Sequence, residues 1–172
     1  MEPDTETAYA EYVRRSWPSL VRAAVFLGAR PHEAEDLAQT TLVRCYTGWS
    51  RVSSAENRDA YVYRMLLNCL RDVRRTRWWK DRQYDVPVDG SRTAEPDASD
   101  RVAVADAVHR ALGGLSKPNR EVVVLRYFVQ LSERQTAEVL GVPAGTVKSR
   151  LSRALAHLAA DDHLLDLSGG PQ

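Results

Sequence analysis

The sequence predicts an all-α protein of two small helical domains, residues 5–81 and 102–160, joined by a flexible linker over 82–101. Three observations carry that prediction. Apolar residues recur at helical spacing through most of both halves. Capping hydroxyls, first-turn prolines and closing glycines bracket those stretches. Between them lies RQYDVPVDGSRTAEPDASDR, with two prolines, a glycine and the acids Asp85, Asp89, Glu95, Asp97 and Asp100. That composition is a flexible acidic linker and a natural boundary.

In the first half, residues 5–28 read as helix, with Tyr9, Val13, Leu20, Val21, Ala24 and Leu27 near helical spacing. Trp17-Pro18 is expected to break it into two pieces, because proline disfavours helical geometry in the residue before it. Gly28 closes the segment. Pro31 opens PHEAEDLAQTTLVRCYTGW, whose early Glu33, Glu35 and Asp36 suit a helix N-terminus. Ala34, Leu37, Ala38, Leu42, Cys45 and Trp49 give it a buried side. Asp36, Gln39, Thr40 and Val43 share an outer side, an odd mixture for a merely solvated face. A polar loop, RVSSAENRD, is expected to follow.

The third helix runs from about Arg58 to Trp79, with Val62, Met65, Leu66, Cys69 and Val73 as its core stripe. Tyr61, Arg64, Asn68, Arg71 and Arg75 lie along another face. Arg74, Arg77, Trp78, Trp79 and Lys80 extend that face into a basic and aromatic cluster, opposed by Asp72 and Asp81. Cations interleaved with rings and an amide suit single-stranded nucleic acid, where bases stack on rings and phosphates meet charge. The plainer alternative is a basic surface helix whose tryptophans cap the core.

Beyond the linker, Val102, Ala105, Val108, Leu112 and Leu115 make one helix that ends at Gly113-Gly114. Ser116 and Pro118 start another, NREVVVLRYFVQ, whose position between helical segments favours a buried helix over a strand. Ser132 then caps a short helix, and Gln135 completes a capping box. Gly141 ends that helix in a conformation cheap only for glycine, and Pro143 restarts the chain. Val147, Leu151, Leu155 and Leu158 form the next buried stripe. Lys148, Ser149, Ser152 and Arg153 face outward with Arg150 nearby, and no acid occurs from Pro143 to Leu158. This is a helix-turn-helix whose second helix suits the major groove. Its bland counterpart is a helical hairpin with cations placed by the macrodipole. The tail, 161–172, is acidic and expected to be disordered.

The totals exclude several classes. A chain of 172 residues with 44% hydrophobic content supports one domain or two small ones. The formal charge of +1 hides its uneven distribution. Cys45 and Cys69 sit within apolar stripes without metal-ligand spacing, so buried free thiols in a reducing compartment are expected. The acidic, polar start is no signal peptide and no run reaches membrane-span length, so a cytoplasmic protein is expected. His32, His109, His157 and His163 have no partner spacing. No catalytic residue, metal or cofactor is expected.

Three motifs, AEDLAQTTLVRCYTGWSRV, AYVYRMLLNCLRDVRR and LSKPNREVVVLRYFVQLSERQTAEVLGVPAGTVKSRLSRAL, occur in this order. With them the chain resembles extracytoplasmic-function sigma factors, the small sigma-70-class subunits that keep regions 2 and 4, and most closely the actinobacterial sigma-E branch. The resemblance covers nearly the whole chain. It implies a three-to-four-helix region 2 bundle and a four-helix region 4 domain. It also implies core RNA polymerase and promoter DNA, duplex and single-stranded, as partners, with a separate anti-sigma protein as a means of control and a monomeric free state. By resemblance, Asp36, Leu37, Gln39, Thr40 and Val43 dock on the β′ clamp helices. Tyr61, Arg64, Asn68, Arg71, Arg74 and Arg75 grip the −10 element, with Asn68 nearest a flipped base. Thr146, Lys148, Ser149, Arg150, Ser152 and Arg153 read the −35 element while their module touches the β flap. Arg30 stands where relatives often carry Asp, so the cap before Pro31 is expected to be weak. The competing reading is a stand-alone helix-turn-helix regulator that binds duplex operators as a dimer; an enzyme acting on nucleic acid would need clustered carboxylates or a metal.

Overall fold

The computed structural model describes the backbone of residues 3–83 and 100–160, with side chains for 5–77 and 106–160. Eight α-helices and one π-helical turn are present among these residues. The first group is α1 (Pro3–Phe26), α2 (Pro31–Thr47), α3 (Trp49–Ser54) and α4 (Arg58–Gln83). The second is α5 (Asp100–Gly114), α6 (Lys117–Val123), a π turn (Val124–Phe128), α7 (Glu133–Leu140) and α8 (Ala144–Ala159). The all-α expectation holds. Most of the acidic linker, the side chains of Trp78, Trp79 and Lys80, and the tail lie outside the described residues.

Helix α1 is continuous through Pro18 rather than broken there. Proline removes one backbone bond and costs about 3 kcal/mol inside a helix. Tyr12 before it and Leu20, Ala23, Ala24 and Leu27 beyond it or just past the helix end are all buried in one core. Packing on both sides of the proline outweighs the local preference. The expected polar loop after Trp49 is also partly helical, as the short α3 buries Trp49 and Val52. Asn57 accepts the Ala60 N–H at 2.7 Å and so caps α4.

An aromatic girdle ties this group together. The Tyr9 hydroxyl donates to the Leu42 carbonyl at 2.9 Å, and its ring meets Tyr46 and Trp49 edge-on. The Arg58 guanidinium lies over both Tyr12 and Trp49. Ala34, Leu37, Ala38, Leu42, Cys45 and Trp49 are all buried, as their spacing requires. In α4 the core takes Leu66, Leu67, Cys69 and Leu70, whereas Val73, assigned to the stripe, is 40% exposed. Both cysteines are free and buried.

In the second group, Val122, Val123, Val124 and Leu125 are all buried. A helix apolar on every side is a helix enclosed on every side, which accounts for a run that resembles a strand. The segment widens at its end: Val129 N–H reaches back five residues to Val124, and Gln130 takes φ +63°. Ser132 and Gln135 form the reciprocal capping box, at 3.1 and 2.7 Å. Gly141 adopts φ 67°, ψ 38°. Pro143 is the residue just before α8. The inner side of α8 is Val147 and Ala154, fully buried, with Leu151 and Leu158 half-buried; Leu155 is 40% exposed and leaves the expected stripe.

One continuous core includes residues of both groups. Helix α7 packs on α4, and α1 touches both α5 and the π turn. The two halves are closed on one another.

Candidate polymerase and promoter surfaces

Three surfaces hold the residues singled out from the sequence. On α2, Asp36, Gln39, Thr40 and Val43 are exposed, and Val43 retains 57% of its accessible surface. Leu37 departs from this set. It is only 3% exposed and belongs to the core, and it also lines the hollow between α2 and α4 beside Asp36 and Thr40. The same face includes residues the sequence did not bring forward. Arg44, Asp72 and Val73 join Asp36 and Thr40 around a hollow between α2 and α4, and Tyr46 is nearly half exposed. At the start of α2, Arg30 gives no side-chain cap, as expected. Glu33 supplies the bond instead, accepting the Arg30 N–H at 3.1 Å, and it also pairs with Arg77 of α4.

On α8, Lys148, Ser149, Ser152 and Arg153 are exposed, with Thr146 and Arg150 half-buried. Ser149 donates to the Thr146 carbonyl at 3.1 Å. Among the described residues no carboxylate pairs with Lys148, Arg150 or Arg153. This face therefore keeps its full positive charge and its hydroxyls for an outside partner.

On α4, Tyr61, Arg64, Asn68 and Arg75 are exposed, and Arg75 pairs with Asp72 at 3.1 Å. Two further arginines are engaged within the protein. Arg71 pairs with Glu121 of α6 at 3.3 Å. Arg74 donates to the Leu27 carbonyl at 2.7 Å, and burial lowers its pKa, with Glu121 opposing. Beside it, Arg120 donates to the Gly113 and Leu115 carbonyls; burial and then Arg74 lower its pKa. Tyr61 and Arg64 share a crevice of about 260 Å3 with Arg134, Gln135, Glu138 and Val139 of α7.

Residues 12–80 match the family described as Sigma-70 region 2, and residues 105–158 match Sigma-70, region 4. The RNA polymerase sigma-E factor of Streptomyces avermitilis is 39% identical over 165 residues, spanning 92% of this chain and 87% of that relative. The chain belongs to the sigma-70 family of RNA polymerase sigma factors. The sigma-E factor of Streptomyces coelicolor is likewise 39% identical, over 87% of this sigma factor and 83% of its own length. Two solved structures share the fold. CnrH, solved with the cytosolic domain of CnrY, aligns with a TM-score of 0.67 at 27% identity, over 94% of this chain and 90% of its own. RpoE of Bartonella quintana, solved with the anti-sigma factor NepR, aligns with a TM-score of 0.69 at 27% identity, over 88% and 94%.

The resemblance to the extracytoplasmic-function group and its sigma-E branch is thus borne out. The stand-alone regulator is set aside, because the half that would have to sense or dimerise matches sigma region 2. Among the described residues no cluster of metal-ligating side chains occurs, and no helix is long and apolar enough to cross a membrane.

Proposed function

We propose that this sigma factor directs core RNA polymerase to −35/−10 promoters through three separate surfaces, with residues 5–81 and 102–160 as its working units and 82–101 as the tether. Asp36, Leu37, Gln39, Thr40 and Val43 dock on the β′ clamp helices, through one exposed carboxylate, an amide, a hydroxyl and the apolar Val43, with Leu37 beneath them. Tyr61, Arg64, Asn68, Arg71, Arg74 and Arg75 take the −10 element and the separated non-template strand. Extruding a base costs a few kcal/mol, which ring stacking and edge hydrogen bonds offset. Thr146, Lys148, Ser149, Arg150, Ser152 and Arg153 read the −35 duplex, while the same module meets the β flap. The chain works by binding, and the chemistry of RNA synthesis belongs to the core enzyme. A separate anti-sigma protein controls it, a reading supported by the RpoE neighbour, which is solved with one.

The observation that supports this most directly is the unneutralised, hydroxyl-bearing face of α8 inside the region 4 match. Run-off transcription by core polymerase on genomic promoter fragments tests it, with and without the protein and with an Asp36→Ala/Gln39→Ala variant. Specific transcripts that require the protein and fade with the variant are expected. Transcripts that persist unchanged with the variant would move the clamp contact off α2.

A further inference from the structure

Helix α1 carries a basic side that none of the three surfaces uses. The chain has 23 acidic residues, yet none falls between Tyr12 and His32. Within that stretch Arg15, Ser19 and Arg22 are spaced i, i+4 and i+7, so they share one side of α1, and all three are exposed. Two observations bring this side next to the start of α4. The Arg15 guanidinium lies 5.7 Å from the centre of the Tyr12 ring, and that of Arg58 lies 5.6 Å from the same ring and 5.3 Å from the ring of Trp49. Burial and then Asp59 raise the pKa of the Tyr63 phenol of α4, and the charge of Arg22 opposes them. Among the described residues no carboxylate pairs with Arg15, Arg22 or Arg58, the exposed Glu11 one turn before Arg15 included. Asp59, next to Arg58 in sequence, accepts instead from the Tyr12 hydroxyl at 3.4 Å.

We propose that Arg15, Ser19 and Arg22, with Arg58, form a further phosphate-binding track, which carries the backbone of the separated promoter strand beyond the −10 surface of α4. The inference rests on the strand-contact reading of α4 given above, and continuity supports it. Arg58 precedes Tyr61 and Arg64 by about one and two turns of the same helix. A guanidinium laid on a ring keeps its N–H edge free, and that edge matches phosphate. Arg58 is the fixed end of the track, since it also donates to the Ser53 carbonyl at 3.3 Å. The Ser19 hydroxyl adds a neutral donor between the two cations of α1. The Tyr12 and Trp49 rings are themselves buried, so no base can stack on them. The track therefore holds the strand without reading its sequence, and its contribution is sensitive to salt.

The test uses holoenzyme assembled from core polymerase and the full chain. Its probes are fluorescein-labelled single strands copied from the non-template side of a promoter that responds in the run-off assay. A short strand spans the −10 element alone, and two longer ones extend it on the 5′ or the 3′ side. Anisotropy titrations over a salt series give the slope of affinity against salt. Arg15→Gln/Arg22→Gln is expected to make that slope shallower by about 1.4 for one extended strand, from two phosphate contacts at about 0.7 each, with the loss confined to that strand. Arg15→Lys/Arg22→Lys is expected to restore the slope, because lysine still meets phosphate as a point charge. Arg110→Gln/Lys117→Gln removes two exposed charges from the second helical group and is expected to change no slope. An equal fall in that control would overturn the track, because the overall field would then account for the effect. Wild-type slopes in Arg15→Gln/Arg22→Gln, with Arg64→Ala/Asn68→Ala still weakening the short strand, would also overturn it; the strand reading would stand, and the charges of α1 would fall to an acidic protein partner. If Arg64→Ala/Asn68→Ala leaves the short strand's affinity unchanged, the strand reading fails and the track, as its continuation, fails with it.

Discussion

Phe26, the last residue of α1, lies against Phe128, the last residue of the π turn, with ring centroids 4.4 Å apart and planes tilted by 52°. The pair joins the two helical groups at the end of α1, close to where Arg74 bonds Leu27. All four tryptophans, Trp17, Trp49, Trp78 and Trp79, belong to the first group. Tryptophan fluorescence therefore reports one half, and far-ultraviolet circular dichroism reports both. In the wild type, the two urea curves are expected to coincide, as coupled halves unfold together. Phe128→Ala removes about 1 kcal/mol of ring contact. The circular dichroism curve is expected to shift to lower urea and separate from the fluorescence curve. Curves that stay superimposed in the variant would show that the halves are coupled elsewhere.

Two glycines with positive φ carry different loads. At Gly141, φ is +67° and an added Cβ would meet no atom within 4 Å. Gly141→Ala bears only the left-handed backbone cost, about 1 kcal/mol. Gly141→Asn is expected to lose less. At Gly28, φ is +95°, and a Cβ would stand 2.6 Å from Arg120 Nη1 and 3.1 Å from Arg74 Nη2. Gly28→Ala adds displacement of two guanidinium groups to a strained backbone, for about 2–3 kcal/mol. Chemical denaturation of the two variants is expected to rank Gly28→Ala as clearly the more damaging. The reverse order would mean that the arginines move aside freely.

Local chemistry is what a sequence displays most openly. Ser132, Gln135 and Gly141 act within a few residues of themselves, so their spacing alone makes their roles legible. Leu37 is more instructive. Its spacing with Ala34, Ala38 and Leu42 assigns it to the core, the family resemblance assigns it to the clamp, and the structure buries it where it also lines the hollow beside Asp36 and Thr40. Pro18 runs the other way, since packing on both sides of it overrules a local preference. Spacing alone puts Val73 and Leu155 in their stripes, but each sits at the edge of its stripe and is 40% exposed. The Arg71–Glu121 pair spans 50 residues and two modules, and no local pattern announces it.

Alkaline pH is expected to loosen the first group. Burial, and then Cys69, push the Cys45 thiol up to about 11. Burial, then Asp59 against an opposing Arg22, pushes the Tyr63 phenol up to about 12, and burial raises Tyr12 and Tyr9 as well. In the unfolded chain the thiol ionises near 9 and the phenols near 10. Above those values the unfolded state holds fewer protons than the native state, so stability falls as pH rises. The Cys45 contribution is fully present below about pH 9 and is lost as pH climbs through about 11. Urea midpoints are expected to stay level up to about pH 9 and then decline. Cys45→Ala, compared with its own neutral-pH value, is expected to delay the first part of that decline. A midpoint already falling below pH 8 would implicate other groups.

The α8 face offers the sharpest separation between holding DNA and reading it. Lys148 and Arg153 are exposed and unpaired among the described residues, so neither must break an internal ion pair to reach DNA. A cation that meets phosphate releases a counterion, and its loss lowers the salt slope of binding by about one. A cation that meets a guanine edge instead costs about 1–3 kcal/mol at one base pair and relaxes the preference there. Lys148, one turn into the helix, is in position for base edges, and Arg153, farther along, for phosphate, because a recognition helix enters the groove by its N-terminal residues. Holoenzyme titrations on wild-type and −35-substituted duplexes over a salt series check this. Lys148→Ala is expected to flatten discrimination between those duplexes, and Arg153→Ala to weaken all of them alike with a shallower salt slope. If both variants weaken every duplex equally, α8 holds the DNA through its backbone, and −35 preference must come from the shape of the duplex.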